Sequence, residues 1–189
     1  VNSLQANLLN QNRIAITDEI TLSTFFYVRE VIATKMTEGF PELTFHISCS
    51  GGLVSAGLDI YDLIRFYEGP TVGVVHSIAA SMGAVVLQAC DWRVATPHSD
   101  ILIHNLNTQG ISLDIMRNEI EMSKLVRELE DNQEMVYDIL IGRTGRSRDE
   151  IMTISALDLK MNVEEALAFG LIDQIAVKES HIKSIQERS

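Results

Sequence analysis

Two short stretches of this 189-residue chain combine residue types that could support nucleophilic chemistry. One is Ala79-Ala80-Ser81-Met82-Gly83-Ala84, and the other is Ile47-Ser48-Cys49-Ser50-Gly51-Gly52. Each places small residues where a strand-like run gives way to a helix-like one. Small side chains let the backbone approach a ligand, and the free N–H groups of a helix start attract negative charge. Taken singly, a Gly-Gly pair is an ordinary turn and a helix-opening Ser is an ordinary cap. Taken as a pair, they suggest a sharp elbow that exposes the Ser81 hydroxyl, although the G-x-S-x-G sequence is absent. A serine hydroxyl needs a general base to attack at neutral pH. The candidates are His46, His76, His98, His104 and His181. His104 ends the apolar run Ile101-Leu102-Ile103, and sites in parallel sheets are built at strand ends. His46 and His76 fall inside strands as packed or edge imidazoles. His98 follows Pro97 in a turn, and His181 sits in a polar tail.

Stepping outward, the elements that must hold these residues read as alternating short strands and helices, which is an α/β pattern. Strands are expected at Ile14–Ile16, Leu43–Ser48, Thr71–His76, Trp92–Ala95 and Ile101–His104. A small-residue turn, Ser77 to Ser81, should open a helix over Met82–Ala89. Helices are also expected over Thr21–Thr37 and Leu53–Tyr67. A single long helix is predicted over Leu113–Ile141, with Ile115, Met122, Leu125, Leu129, Val136 and Leu140 on one stripe. Glu119, Glu121, Glu128, Glu130 and Asp131 form its wet face. Ser147 and Asn162 read as caps, the latter with Glu165 three residues on.

Composition narrows the functional classes. Hydrophobic residues make up 46% and charged residues 22%, which excludes a disordered chain. No apolar run is long enough to span a bilayer. Val1-Asn2-Ser3-Leu4-Gln5 lacks a signal-peptide layout. The net charge of −11 repels a phosphate backbone, so neither nucleic acid nor a membrane is an expected partner. Cys49 and Cys90 lie in apolar surroundings without metal-ligand spacing, and read as reduced buried thiols in a cytoplasmic protein. No phosphate-binding loop is present, and neither metal nor organic cofactor is expected.

From about Leu8 to Ile175 the chain resembles the proteolytic subunit of the caseinolytic (Clp) protease, as a divergent member. The resemblance is carried by Ala79-Ala80-Ser81-Met82-Gly83-Ala84, by Ser50-Gly51-Gly52, and by Ala56-Gly57-Leu58-Asp59-Ile60-Tyr61-Asp62. It continues through Ile101-Leu102-Ile103-His104 and Thr144-Gly145-Arg146-Ser147 to Glu165, Ala166 and Phe169-Gly170-Leu171-Ile172-Asp173. It implies a crotonase-like (ClpP) α/β fold with parallel sheets, flanking helices and a projecting handle helix. It implies one peptidase domain over residues 1–189, with the handle inserted around 105–141.

The resemblance further implies a Ser81/His104/Asp158 triad, with backbone N–H groups of Gly51 and Met82 receiving the oxyanion. Asp173 belongs to the closing turn and is structural. Substrate would be an unfolded polypeptide bound as an extended strand bordered by Gly52, Leu53, Val54, Leu106 and Asn107. The implied assembly is two stacked heptameric rings enclosing a chamber, with an AAA+ unfoldase as an added partner. Several features depart from the family pattern. Ser50 replaces the usual Pro, and the segment after His104 lacks one. The segment before Ile14 is short. Thr44 and His46 stand where outward aromatics are usual, whereas Phe66 remains. The handle is about five residues longer. Three readings follow: an active serine endopeptidase, a catalytically silent ring subunit, and a crotonase-like acyl-CoA enzyme using the same oxyanion turns.

Overall fold

The computed structural model describes residues 10–108 and 110–183. The start of the resemblance at Leu8 and the residues Val1 to Gln5 lie outside the described residues. Six parallel strands form one sheet: β1 (Arg13–Ile16), β2 (Leu43–Cys49), β3 (Thr71–Ala80), β4 (Trp92–Ala95), β5 (Asp100–Leu102) and β6 (Gln174–Ile175). The order is β1-β2-β3-β4-β6, and β5 pairs with β3 off that path.

The third strand runs further than the sequence suggested. Its first part pairs with β4 at Val72–Val75, and its last part pairs with β5 at Ile78–Ala80. Between the two, Ser77 adopts φ 70° and bends the strand onto its new partner. The small residues read as a turn are therefore the kinked end of a strand, which continues directly into Ser81.

Among the described residues seven α-helices accompany the sheet: α1 (Leu22–Thr37), α2 (Val54–Phe66), α3 (Met82–Leu87), α4 (Leu113–Arg117), α5 (Glu119–Thr144), α6 (Arg148–Leu157) and α7 (Val163–Phe169). Thr21, Ser147 and Asn162 each close a capping box, satisfying orphan N–H donors at the helix starts. The third helix is apolar all round and every residue of it is buried, as expected of a helix central to a core. Along β2, Leu43, Phe45, Ile47 and Cys49 alternate inward and pack with Ile14, Ile16, Ile60 and Ile64. A smaller cluster of Val72, Val74, Val94 and Ala176 fills the opposite face.

The long helix expected over Leu113–Ile141 is two helices. Asn118 breaks it and accepts from Ile120 N and Glu121 N, capping the second. None of α4 is buried, and α5 buries only Val136, Tyr137 and Leu140 near its end. Ile115 is exposed, while Met122, Leu125 and Leu129 are only partly covered. The expected stripe thus runs along an arm whose outer part is, among the described residues, largely uncovered.

Asp173 fills the structural role expected of it. Its carboxylate takes Arg93 Nε at 2.9 Å and Nη2 at 2.6 Å. Arg93 also donates to the Gly170 carbonyl at 2.9 Å, tying the end of α7 to β4. Both cysteines are free and buried, and burial pushes the Cys90 thiol up to about 12. No helix of the described residues is long and apolar enough to cross a membrane.

Candidate active site

Ser81 joins β3 to α3 with φ 54° and ψ −127°, a conformation that costs a residue with a Cβ about 1–3 kcal/mol. Several contacts hold it there. Ser81 N donates to Leu102 O at 2.9 Å, and Ser81 O accepts from Ala84 N at 3.0 Å and Val85 N at 3.2 Å. An ordinary N-cap has extended backbone and turns its hydroxyl back onto the helix. Ser81 does neither, since its side chain makes no capping bond. The cap reading is therefore excluded, and the hydroxyl is left for other work.

The glycine turn packs directly against it. A Cβ on Gly51 would stand 2.5 Å from Ser81 Cβ and 3.0 Å from its Oγ, and Gly51 has φ 113°. Glycine is required on both grounds. Gly83 is similarly close, since a Cβ there would meet Cys49 O at 2.9 Å. The two turns singled out from the sequence thus touch through residues that only glycine can supply.

The amide groups of these turns differ in their engagement. Gly51 N donates to Cys49 Sγ at 3.3 Å. Gly51 O and Leu53 N bind Ile20 at 2.7 and 2.8 Å. Among the described residues no acceptor takes Gly52 N–H. Met82 opens α3, so its N–H is one of the orphan donors of a helix start.

His104 lies two residues beyond the end of β5 and is partly buried. With Ser81, Met82, Val85 and Leu106 it lines a narrow cavity of about 10 Å³, room for about one water molecule. Asp158 does not line that cavity. It closes α6 in the left-handed conformation, φ 51° and ψ 38°, and is exposed. Its segment is nonetheless docked along β5 and the residues that follow it. Ile101 and Met161 exchange backbone hydrogen bonds at 2.8 and 2.9 Å, and Asn105 N donates to Ser155 O at 3.2 Å. The Ile101–Met161 bridge is antiparallel and isolated, and with the Asn105–Ser155 bond it brackets the segment that carries Asp158. Ser81 Oγ, the His104 ring and the Asp158 carboxylate form no hydrogen bond with one another.

Of the expected substrate-bordering residues, Leu53 and Asn107 are exposed, and Gly52, Val54 and Leu106 are partly covered. Leu106 N is already engaged by Gln133 Oε1 at 2.6 Å, and Tyr137 donates to Asn105 Oδ1 at 2.7 Å. These two α5 residues pin the segment after His104, a role missed in the sequence. The available signal was polar residues four apart beside the apolar stripe. Among the described residues no group of three or more His, Cys, Asp or Glu side chains could hold a metal.

A parallel sheet with flanking helices, a helical arm and two small-residue turns that meet where β2 and β3 end define an α/β protein with its candidate site at the strand ends. A solved ClpP1 mutant from Listeria monocytogenes shares this fold with a TM-score of 0.82 at 23% identity, covering 95% of this chain and 99% of that one. The Clp protease family model matches residues 1–179, and the chain belongs to that family. The "ATP-dependent Clp protease proteolytic subunit 1" of Chlamydia muridarum is 30% identical over 175 residues, covering 91% of this chain and 90% of its own length. Its counterpart in Chlamydia trachomatis serovar D is 31% identical over 176 residues, with the same coverage.

Proposed function

We propose that this chain is the proteolytic subunit of an ATP-dependent-type Clp protease and a serine endopeptidase acting on unfolded polypeptides. The observation that carries this is Ser81, held on a strained turn with an uncapped hydroxyl that shares a cavity with His104. Ser81 Oγ attacks the scissile carbonyl while His104 accepts its proton and then delivers it to the leaving amine. Asp158 fixes the imidazole tautomer and stabilises its cationic form. Asp158 is exposed and makes no hydrogen bond to His104 in the isolated chain, so this role requires its side chain to turn towards the imidazole.

Met82 N–H receives the developing oxyanion together with an amide of the glycine turn. Gly51 was the donor expected from the sequence. The unengaged amide of Gly52 is the better supported one, because Gly51 N–H is occupied by the Cys49 sulfur. Loss of one such donor costs about 3–4 kcal/mol of transition-state stabilisation. Substrate lies as an extended strand along Gly52–Val54 on one side and Leu106–Asn107 on the other, recognised through its main chain.

The single peptidase domain assembles through its arm into two stacked heptameric rings, in the cytoplasm, with an AAA+ unfoldase feeding the chamber. The acyl-CoA reading has no support from the named relatives, which are proteolytic subunits. A fluorophosphonate probe tests the proposal on the assembled protein. Labelling of Ser81 that disappears in Ser81→Ala is expected. An assembled ring that takes no label would instead identify the silent subunit.

A further inference from the structure

On the sheet face opposite the main core, a cavity of about 360 Å³ lies beneath the C-terminal segment 176–183. His46 of β2 and His76 of β3 stand in its wall. His46 is in register with Val74, and His76 follows two positions later on the same face. His46 Nδ1 lies 2.9 Å from His76 Nε2, with ring centroids 5.2 Å apart and planes 22° apart.

The pair accommodates only one protonation pattern. His46 Nε2 is buried without a hydrogen-bond partner. A proton there would be left unsatisfied, so the neutral pair carries it on His46 Nδ1, which donates to His76 Nε2. A further proton on His46 falls on the buried Nε2. A further proton on His76 sets two N–H groups against each other. Both imidazoles accordingly sit below the usual histidine range. For His46 the causes are burial, then His76 and Arg13, with Glu179 opposing; for His76 the cause is burial.

The charged groups around the pair come from three elements. Arg13 is on β1, Glu42 precedes β2, and Lys178, Glu179 and Lys183 belong to the covering segment. Glu179 is bound to Arg13, which ties that segment to β1. A cationic His46 would compete for Glu179 and repel Arg13 and the two lysines.

We propose that the His46–His76 pair is a proton-operated latch on this cavity: when neutral it closes, and on taking up a proton it parts, weakens the Arg13–Glu179 tie and loosens residues 176–183. The sign follows from the depressed values. The closed form is fully favoured above the ordinary histidine range and loses that advantage as pH falls through the lower values of the pair.

The test is imidazole NMR titration with amide exchange on the full-length protein. The His46 and His76 signals should titrate together, below the usual histidine range. Exchange at 177–182, corrected for its intrinsic pH dependence, should speed up about tenfold between neutral and acidic pH, the equivalent of one pK unit of coupling. His46→Phe should abolish that pH dependence, as should the gentler His76→Gln, which guards against a misfolded first variant. Independent titration at ordinary values, or exchange that ignores pH, would overturn the latch.

Discussion

The turn at Ser81 and the turn at Asp158 share a backbone feature and differ in everything that surrounds it. Both hold a residue with a Cβ at positive φ, 54° and 51° respectively. Ser81 sits between two buried elements, is bonded to Leu102, Ala84 and Val85, and faces a glycine with no room for a Cβ. Asp158 caps an amphipathic helix at the surface, in the ordinary left-handed region that aspartate tolerates. Strain with enforcement marks the first as a built feature, whereas the second is a common way to end a helix. The proposed nucleophile is therefore fixed by the fold of one chain, and the proposed acid is not.

Removing each functional group tests that division most directly. Ser81→Ala is expected to lower peptide hydrolysis by about a million-fold, because serine and histidine of such a set act as a unit. Asp158→Asn keeps the shape and loses the charge, and should cost about 10,000-fold. Both variants should sediment as the parent does. Near-parental turnover in Asp158→Asn would reassign the acid and leave the Ser81 half of the comparison standing.

Gly51→Ala probes the enforcement itself. The added methyl meets Ser81 Cβ at 2.5 Å and sits at φ 113°. Overpacking together with a disfavoured backbone should cost about 2–5 kcal/mol of stability. Thermal unfolding should show this as a lower Tm, with slowed fluorophosphonate labelling of Ser81. Gly39, also at positive φ but with nothing within 4 Å of an added Cβ, serves as the control for backbone strain without the clash.

The same contrast explains what could be read from the chain. Local signals gave correct elements where local physics decides them. Asn162 with Glu165 closes the box its spacing announces, and Ser147, read as a cap, closes one with Glu150. Asp173 is structural, as its place in the closing turn suggested. The pairing of two small-residue turns was legible because glycine and alanine at those positions have few other reasons to recur. Features set by register were not legible. Ser77 to Ala80 looked like a turn because nothing local reveals that β3 changes partner from β4 to β5. The break at Asn118 lacked a Pro or Gly to announce it, and only its capping bonds disclose it. His46 and His76 are 30 residues apart and meet only through the pairing of β2 and β3.

The smallest expected effect separates the two turns most finely. Glycine relieves positive φ wherever it is placed, but relief is large only where the native conformation is disfavoured. At Ser81, with ψ −127°, Ser81→Gly should raise stability by about 1–3 kcal/mol, less whatever the lost side-chain contacts supplied. At Asp158, with ψ 38°, the backbone already lies in a well that aspartate occupies, and Asp158→Gly should change stability by less than about 1 kcal/mol. Urea unfolding of the two variants beside the parent decides the matter. Equal stabilisation at both sites would mean that Ser81 stores no more strain than an ordinary helix end. In that event the uncapped hydroxyl, not the backbone, would be the remaining physical reason to place the nucleophile there.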